Sequence, residues 1–274
     1  MLNKPLIVFE DDYLLVINKP AGMVVNQSAT IDPKLTLQYW IRERYPRIYN
    51  KKDNSAFYER KGIVHRLDKE TSGLLIIAKD PQVFTELQAQ FKLRQVTKNY
   101  LCLVHGKVNP EKGSVDAPLA RNRFDREKFG VFLGGREAKT DYQVIAFLRG
   151  QQKPIKNQKL DLVEIIKPDL WTALIRKIVY PEEGNNREYE YFTFLLITPK
   201  TGRTHQIRVH FKYLYHPLVA DEKYAGRKNA QHDLKWCPRH FLHAYKLSFK
   251  HPITNKIVEF VASLPDDLKN TIRS

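Results

Sequence analysis

The chain has 274 residues, 42% of them hydrophobic and 28% charged, enough to bury one large core or two smaller ones. Its 46 Lys and Arg against 30 Asp and Glu leave a net charge of +16, a balance that draws in a polyanion such as nucleic acid. Two cysteines, Cys102 and Cys237, are too few for a disulfide framework, no CxxC or HExxH spacing argues for a zinc site, and neither a long apolar run nor a signal-peptide core occurs, so a cytoplasmic protein without a membrane segment is expected.

In chain order, LIVFEDDYLLVINKPAGMVV (6–25) reads as two short β-rich runs, broken at Asp11-Asp12 and ended by Lys19-Pro20-Ala21-Gly22. Apolar spacing predicts helices over 35–45, with Leu37, Trp40 and Ile41 on one face, and over 82–95, with Phe84, Leu87 and Phe91. Between them GLLIIAK (73–79) is a candidate buried strand, and NYLCLVHG (99–106) is another. Residues 149–190, rich in Lys, Gln, Pro and Asn, read as an insertion rather than a domain. YFTFLLIT (191–198) is β-prone, and THQIRVHFKYLYHP (204–217) reads as a helix running until Pro217. Helices and strands alternate without a regular βαβ rhythm, which predicts an α+β fold with a mixed, mostly antiparallel central sheet flanked by helices.

Two polar clusters interrupt this apolar pattern. In IVHRLDKETSGLLIIAK (63–79), His65, Arg66 and Asp68 stand directly before a buried strand. A carboxylate among apolar walls has its pKa raised unless a cation compensates. Arg66, two residues earlier, faces the same side if the segment is extended. Thr71, Ser72 and Gly73 supply hydroxyls and a flexible joint that can fold back on the Asp68 backbone. One reading is a carboxylate kept ionised at the floor of a cleft, as nucleophile or general base; the other is a capping Asp with Arg66 in a surface ion pair.

The second cluster, PKTGRTHQIRVH (199–210), also opens out of a β-rich run. On a helix His205, Arg208 and Lys212 fall along one side, while Ile207, Phe211 and Leu214 hold another side to the core. Arg208, flanked by Ile207 and Val209, is a candidate buried guanidinium in need of a carboxylate, with Asp68 as the obvious partner. Lys200, Arg203 and His205 are candidate phosphate contacts at the helix N-terminus, although a solvated basic face would carry the same residues.

Together, GIVHRLDKETSGLLIIAK and PKTGRTHQIRVH resemble the RluA-type family of RNA pseudouridine synthases. VFEDDYLLVINKPAGMVV resembles that family's opening strands, KNYLCLVHG its KxY segment and FLHAYKLSFKHP its C-terminal strand, so the resemblance spans residues 6 to 265 with the motifs in family order. It implies a single catalytic domain over 1–274 with an RNA-binding cleft, isomerising uridine to pseudouridine in rRNA or tRNA without a cofactor or metal. By similarity Asp68 is the catalytic aspartate, either attacking the sugar C1′ or acting as a base in a route through a glycal. Arg208 matches the arginine that pairs with it, and Tyr100 a tyrosine that stacks on the target base. Arg66 matches an arginine that enters the RNA stack when the uridine is flipped out, where a planar guanidinium refills part of the stack.

Over residues 91–140, eleven Lys or Arg against five Asp or Glu give +6. In ARNRFDREKFGVFLGGREAKT they alternate with Phe124, Phe129 and Phe132, which suits RNA contact through Arg121 and Arg123, and a solvated hairpin would look similar. The small RNA-binding module that precedes the catalytic domain in many relatives is not expected, since the family pattern starts by residue 6; a monomer is the default. Trp236 and Cys237 are expected to pack. The rival readings are a non-catalytic RNA-binding protein on the same fold and a phosphotransferase. The second is disfavoured because His65-Arg66 stand before the DKETSG aspartate where an apolar strand should be.

Overall fold

The computed structural model describes residues 4–49, 54–151, 161–165 and 189–272. The chain divides into two units, one made of Met1–Lys98 with Ala244–Ala262 and the other of Asn99–His243 with Ser263–Ser274. β1 (Leu6–Glu10) and β2 (Leu14–Lys19) form an antiparallel hairpin. Asp11 sets its turn, accepting the Tyr13 and Leu14 N–H groups at 2.8 Å. Then come α1 (Leu37–Arg44), α2 (Pro46–Tyr49), α3 (Ala56–Glu59), β3 (Ser72–Ala78) and α4 (Pro81–Lys92). Asp80 caps α4 by accepting from Gln82 and Val83, with Pro81 supplying the preset backbone angle of the first turn.

The second unit begins within β4 (Thr97–His105). It continues through β5 (Lys112–Asp116), β6 (Leu119–Arg121), β7 (Phe129–Val131), β8 (Lys139–Gln151), β9 (Asp161–Ile165) and β10 (Tyr189–Pro199). Two helices follow, α5 (Gln206–Tyr213) and α6 (Arg227–Asp233). β11 (Leu242–Lys250) leads back into the first unit, followed by β12 (Ile257–Val261), and α7 (Asp266–Ile272) closes the second.

In the first unit the strands run in the order β1-β2-β3-β11, with β12 paired to β11. β3 is buried along its whole length, and β2 nearly so, which is why both read as apolar runs rather than alternating ones. Val83, Phe84 and Leu87 of α4 are buried, and α1 buries Leu37 and Ile41. In the second unit the order is β4-β10-β8-β5, with β9 on β8 and a separate β6-β7 ribbon. Its core gathers Val104, Val144, Leu195, Ile197 and Phe211, with Ile207 and Leu214 packed in as the helix spacing predicts. Every pairing of β1, β2, β5–β10 and β12 is antiparallel, as expected of the sheet.

Three sequence expectations need revision. The helix expected to run to Pro217 ends at Tyr213, where Leu214 N–H bonds back to His210 and Tyr215 takes a left-handed conformation. His205 is the cap of the helix, at φ 54°, rather than a helical residue, although it meets the same Tyr224 ring as Arg208 and Lys212. Of the expected 149–190 insertion, 161–165 is a strand and β8 and β10 reach into its two ends, while 152–160 and 166–188 lie outside the described residues. Cys237 is buried and Trp236 meets Phe192 edge-on at 5.4 Å, the packing role expected of them.

Candidate active site

The loop before β3 is held from several directions. Ile63 bridges to Ile77, and Ala78 N–H donates to the Gly62 carbonyl at 2.8 Å. Ile76 N–H donates to His65 Nε2 at 3.0 Å, which puts the ring proton on Nδ1 and makes the imidazole an acceptor. The ring stacks on Phe91 with centroids 4.7 Å apart. Burial, helped by the Lys98 charge, brings its pKa down to about 3, so His65 is neutral at physiological pH. Its Nε2 is engaged with the strand behind the loop, the geometry of a loop anchor.

Asp68 occupies the turn that this anchoring creates. Its carbonyl accepts Thr71 N–H at 3.1 Å, the fold-back expected of the TSG sequence, and its side chain is half-buried while Leu67, Thr71 and Ser72 are buried. Gly73 is not a flexible joint. It sits at φ 120°, and a Cβ there would lie 2.3 Å from the Ala244 carbonyl oxygen, so glycine is required by the close approach of β11. Arg66 is exposed.

A residue not singled out by sequence reasoning completes this loop. Lys19 is fully buried and its Nζ donates to the carbonyls of Pro20 at 2.8 Å, Met23 at 2.9 Å and Lys69 at 3.1 Å. Gly22 N–H donates to the same Lys69 carbonyl at 3.0 Å. The turn after β2 therefore grips the residue next to Asp68, and it brings a buried positive charge with it.

In the second unit Tyr100 of β4 is half-buried against the core cluster. Arg208, 6% exposed, lies on α5 and donates from Nε and Nη2 to the two carboxylate oxygens of Asp221 at 2.7 and 2.8 Å. Burial raises the Asp221 pKa, but the hydrogen bonds and charge of Arg208, the nearby His240 and the Lys223 N–H outweigh it, and the carboxyl stays below its ordinary value. The buried-guanidinium expectation is met, and Asp221 is a carboxylate partner that sequence reasoning did not name. It lies in the DEKY turn a few residues after Pro217, and only the fold brings that turn to α5.

The remaining candidates fall around α5 and the β6-β7 ribbon. Lys200 pairs with Asp141 at 3.2 Å near the surface. Arg203 donates from Nε to the Glu137 carbonyl at 3.0 Å, and its backbone N–H is taken by Gln206 Oε1 at 2.9 Å. His205 Nδ1 lies 2.8 Å from the Tyr224 hydroxyl, which also accepts Phe129 N–H at 2.9 Å. Arg121 stacks over Phe129 at 5.4 Å, and Arg123 is exposed in the turn beside the fully exposed Phe124. The hairpin expected of this stretch is present; Arg121, Arg123, Phe124 and Phe132 are exposed, while Phe129 packs against Leu119 and Tyr224. Among the described residues no group of three or more His, Cys, Asp and Glu side chains is gathered to hold a metal.

The solved structure titled human RNA pseudouridylate synthase domain containing 1 superimposes with a TM-score of 0.63 at 24% identity, covering 96% of this chain and 84% of that one. Its counterpart titled domain containing 4 gives a TM-score of 0.60 at 22% identity, over 97% and 91%. The fold is thus that of pseudouridylate synthases. A family model described as RNA pseudouridylate synthase matches residues 13–213. The ribosomal large subunit pseudouridine synthase D of Haemophilus influenzae is 34% identical over 97% of this chain and 69% of its own, and that of Zymomonas mobilis 35% over 96% and 70%. The chain belongs to the RluA-type RNA pseudouridylate synthase family, and its activity is the isomerisation of uridine to pseudouridine in RNA.

Proposed function

We propose that Asp68 is the catalytic aspartate, and that ribosomal RNA is the substrate, with transfer RNA as the other candidate class. The observation that carries the assignment is the anchored loop: His65, Lys19 and Gly22 fix the backbone on both sides of a carboxylate that is itself only half-buried. Such anchoring costs a fold several buried polar contacts and gains it one rigidly placed acid. The isomerisation breaks the N1–C1′ bond, turns the uracil and joins C5 to C1′. A proton leaves C5 and one is added at N1, so no external reactant is needed.

In this reading Arg208 helps to keep Asp68 ionised, Tyr100 stacks on the uracil, and Arg66, exposed on the same loop, fills the gap left by the flipped nucleotide. Arg121, Arg123, Lys200 and Arg203 contact phosphates. His65 is assigned to the loop instead. Both units serve one catalytic domain, acting as a monomer in the cytoplasm; the relatives' names, which specify the large ribosomal subunit, favour ribosomal RNA.

The test is chemical mapping of pseudouridine in total RNA from cells lacking the gene, complemented by wild type or by Asp68→Asn. Loss of a pseudouridine at a ribosomal position, restored by wild type alone, is the expected result. Restoration by Asp68→Asn would overturn the role of Asp68, and an affected site in transfer RNA alone would overturn the substrate.

A further inference from the structure

Asp221 is fully buried and serves three groups at once. Its two oxygens hold the Nε and Nη2 edge of Arg208, and Oδ1 also accepts the N–H groups of Lys223 at 3.0 Å and Tyr224 at 3.1 Å. Those backbone bonds close the turn that carries the Tyr224 ring to 5.1 Å from the Arg208 guanidinium. One side chain therefore fixes the arginine in its own plane and, through the turn it caps, places an aromatic face against that plane.

The turn reaches further. The Tyr224 hydroxyl accepts the Phe129 N–H at the start of β7, and it also hydrogen-bonds with His205 Nδ1 at 2.8 Å. His205 in turn meets Phe129 edge-on at 5.9 Å. The root of the basic hairpin and the guanidinium of α5 are thus set by the same four-residue turn.

From this geometry we propose that Asp221 is a positioning residue for the isomerisation, acting through Arg208, and that the Asp221–Tyr224 turn couples the placement of that arginine to the placement of the RNA-facing hairpin. The inference rests on the reading that Arg208 serves the reacting aspartate. An arginine held at one edge by a bidentate carboxylate has little freedom to swing, so its remaining surface is presented in one orientation. Asp221→Asn breaks the two-point grip on the arginine while keeping the turn. An amide oxygen in the Oδ1 place still accepts from Lys223, Tyr224 and Arg208 Nη2, while the amide N–H₂ in the Oδ2 place faces Arg208 Nε and repels it.

The experiment measures single-turnover tritium release from [5-³H]uridine-labelled total RNA of cells lacking the gene, alongside binding of that RNA, for Asp221→Asn, Arg208→Gln and the double variant. Thermal melts confirm that each is folded at the assay temperature, and Arg208→Lys replaces Arg208→Gln where the latter is not. Expected is a saturating rate for Asp221→Asn lowered roughly 10- to 100-fold, RNA affinity held within about twofold, and no further loss on adding Asp221→Asn to the Arg208 variant. A near-wild-type rate for Asp221→Asn, or losses that multiply in the double variant, overturns the positioning role. A near-wild-type rate for the Arg208 variant overturns the parent reading of Arg208, and this inference with it. For the coupling, Tyr224→Phe is expected to weaken RNA binding several-fold; unchanged binding removes the link to the hairpin.

Discussion

Lys19 Nζ donates to the carbonyl of Lys69 at 3.1 Å, one residue beyond Asp68. The lysine is fully buried, and backbone oxygens around the ammonium offset the cost of its charge. Lys19→Met keeps the length of the side chain and removes every donor. The Lys69 carbonyl retains Gly22 N–H, but the Pro20 and Met23 carbonyls lose the lysine bond, at about 1–3 kcal/mol for each acceptor left unsatisfied. Urea unfolding of Lys19→Met is expected to show a loss of roughly 2–6 kcal/mol with m unchanged. A smaller loss would mean that water or a shift of the turn replaces the ammonium.

His65 gives the loop a pH dependence of definite sign. Folding lowers the imidazole pKa from the ordinary 6.5 to about 3, through burial first and the Lys98 charge second. Between those values the unfolded chain takes up a proton that the folded chain refuses. The contribution of His65 to stability is therefore complete above about pH 6.5 and drains away as the pH falls toward 3. Across pH 6.5 to 5, above most carboxylate titration, His65→Gln is expected to have a flatter fall of Tm than wild type. Parallel curves would show that another group carries the slope.

Gly73 tests how closely β3 and β11 approach within the first unit. At φ 120° an L side chain is strained, and the added Cβ would meet the Ala244 oxygen at 2.3 Å and nitrogen at 2.5 Å, both backbone atoms that cannot turn aside. Gly73→Ala is expected to cost about 3–4 kcal/mol, a Tm loss of roughly 10 °C. An alanine variant as stable as wild type would mean that the strands have room to separate.

The sequence shows some of these features and hides others for a physical reason. The β2 and β3 runs are legible because strands buried on both faces are apolar at every position, and the helix faces because Leu37 and Ile41, or Phe84 and Leu87, recur at helical spacing. Lys19 was partly legible: it follows Leu15 and Ile17 at the strand period of two, so it points to the face they bury. Asp221 was not. Thirteen residues separate it from Arg208, and neither periodicity nor turn chemistry brings a carboxylate after a proline to a guanidinium on the preceding helix. His65 depends on the fold in another way. An imidazole beside an arginine and an aspartate reads as site chemistry, yet the proton it carries depends on a backbone N–H eleven residues away that no local pattern reveals.

The β6-β7 hairpin supplies a final prediction, on RNA affinity. Arg121 rests on the Phe129 ring, which limits its motion without neutralising it, and Arg123 projects from the turn beside Phe124, whose ring is fully exposed. Guanidinium groups that meet phosphates displace condensed cations, so each such contact adds to the salt dependence of binding. The Arg121→Gln, Arg123→Gln double variant should bind RNA more weakly, with the slope of log Kd against log salt reduced by roughly 1.5–2. At saturating RNA its single-turnover rate should be close to wild type, because neither arginine belongs to the Asp68 loop or to the Arg208–Asp221 pair. An unchanged salt slope would make the hairpin a solvated ribbon, and a lower saturating rate would mean that it also helps to place the reacting uridine.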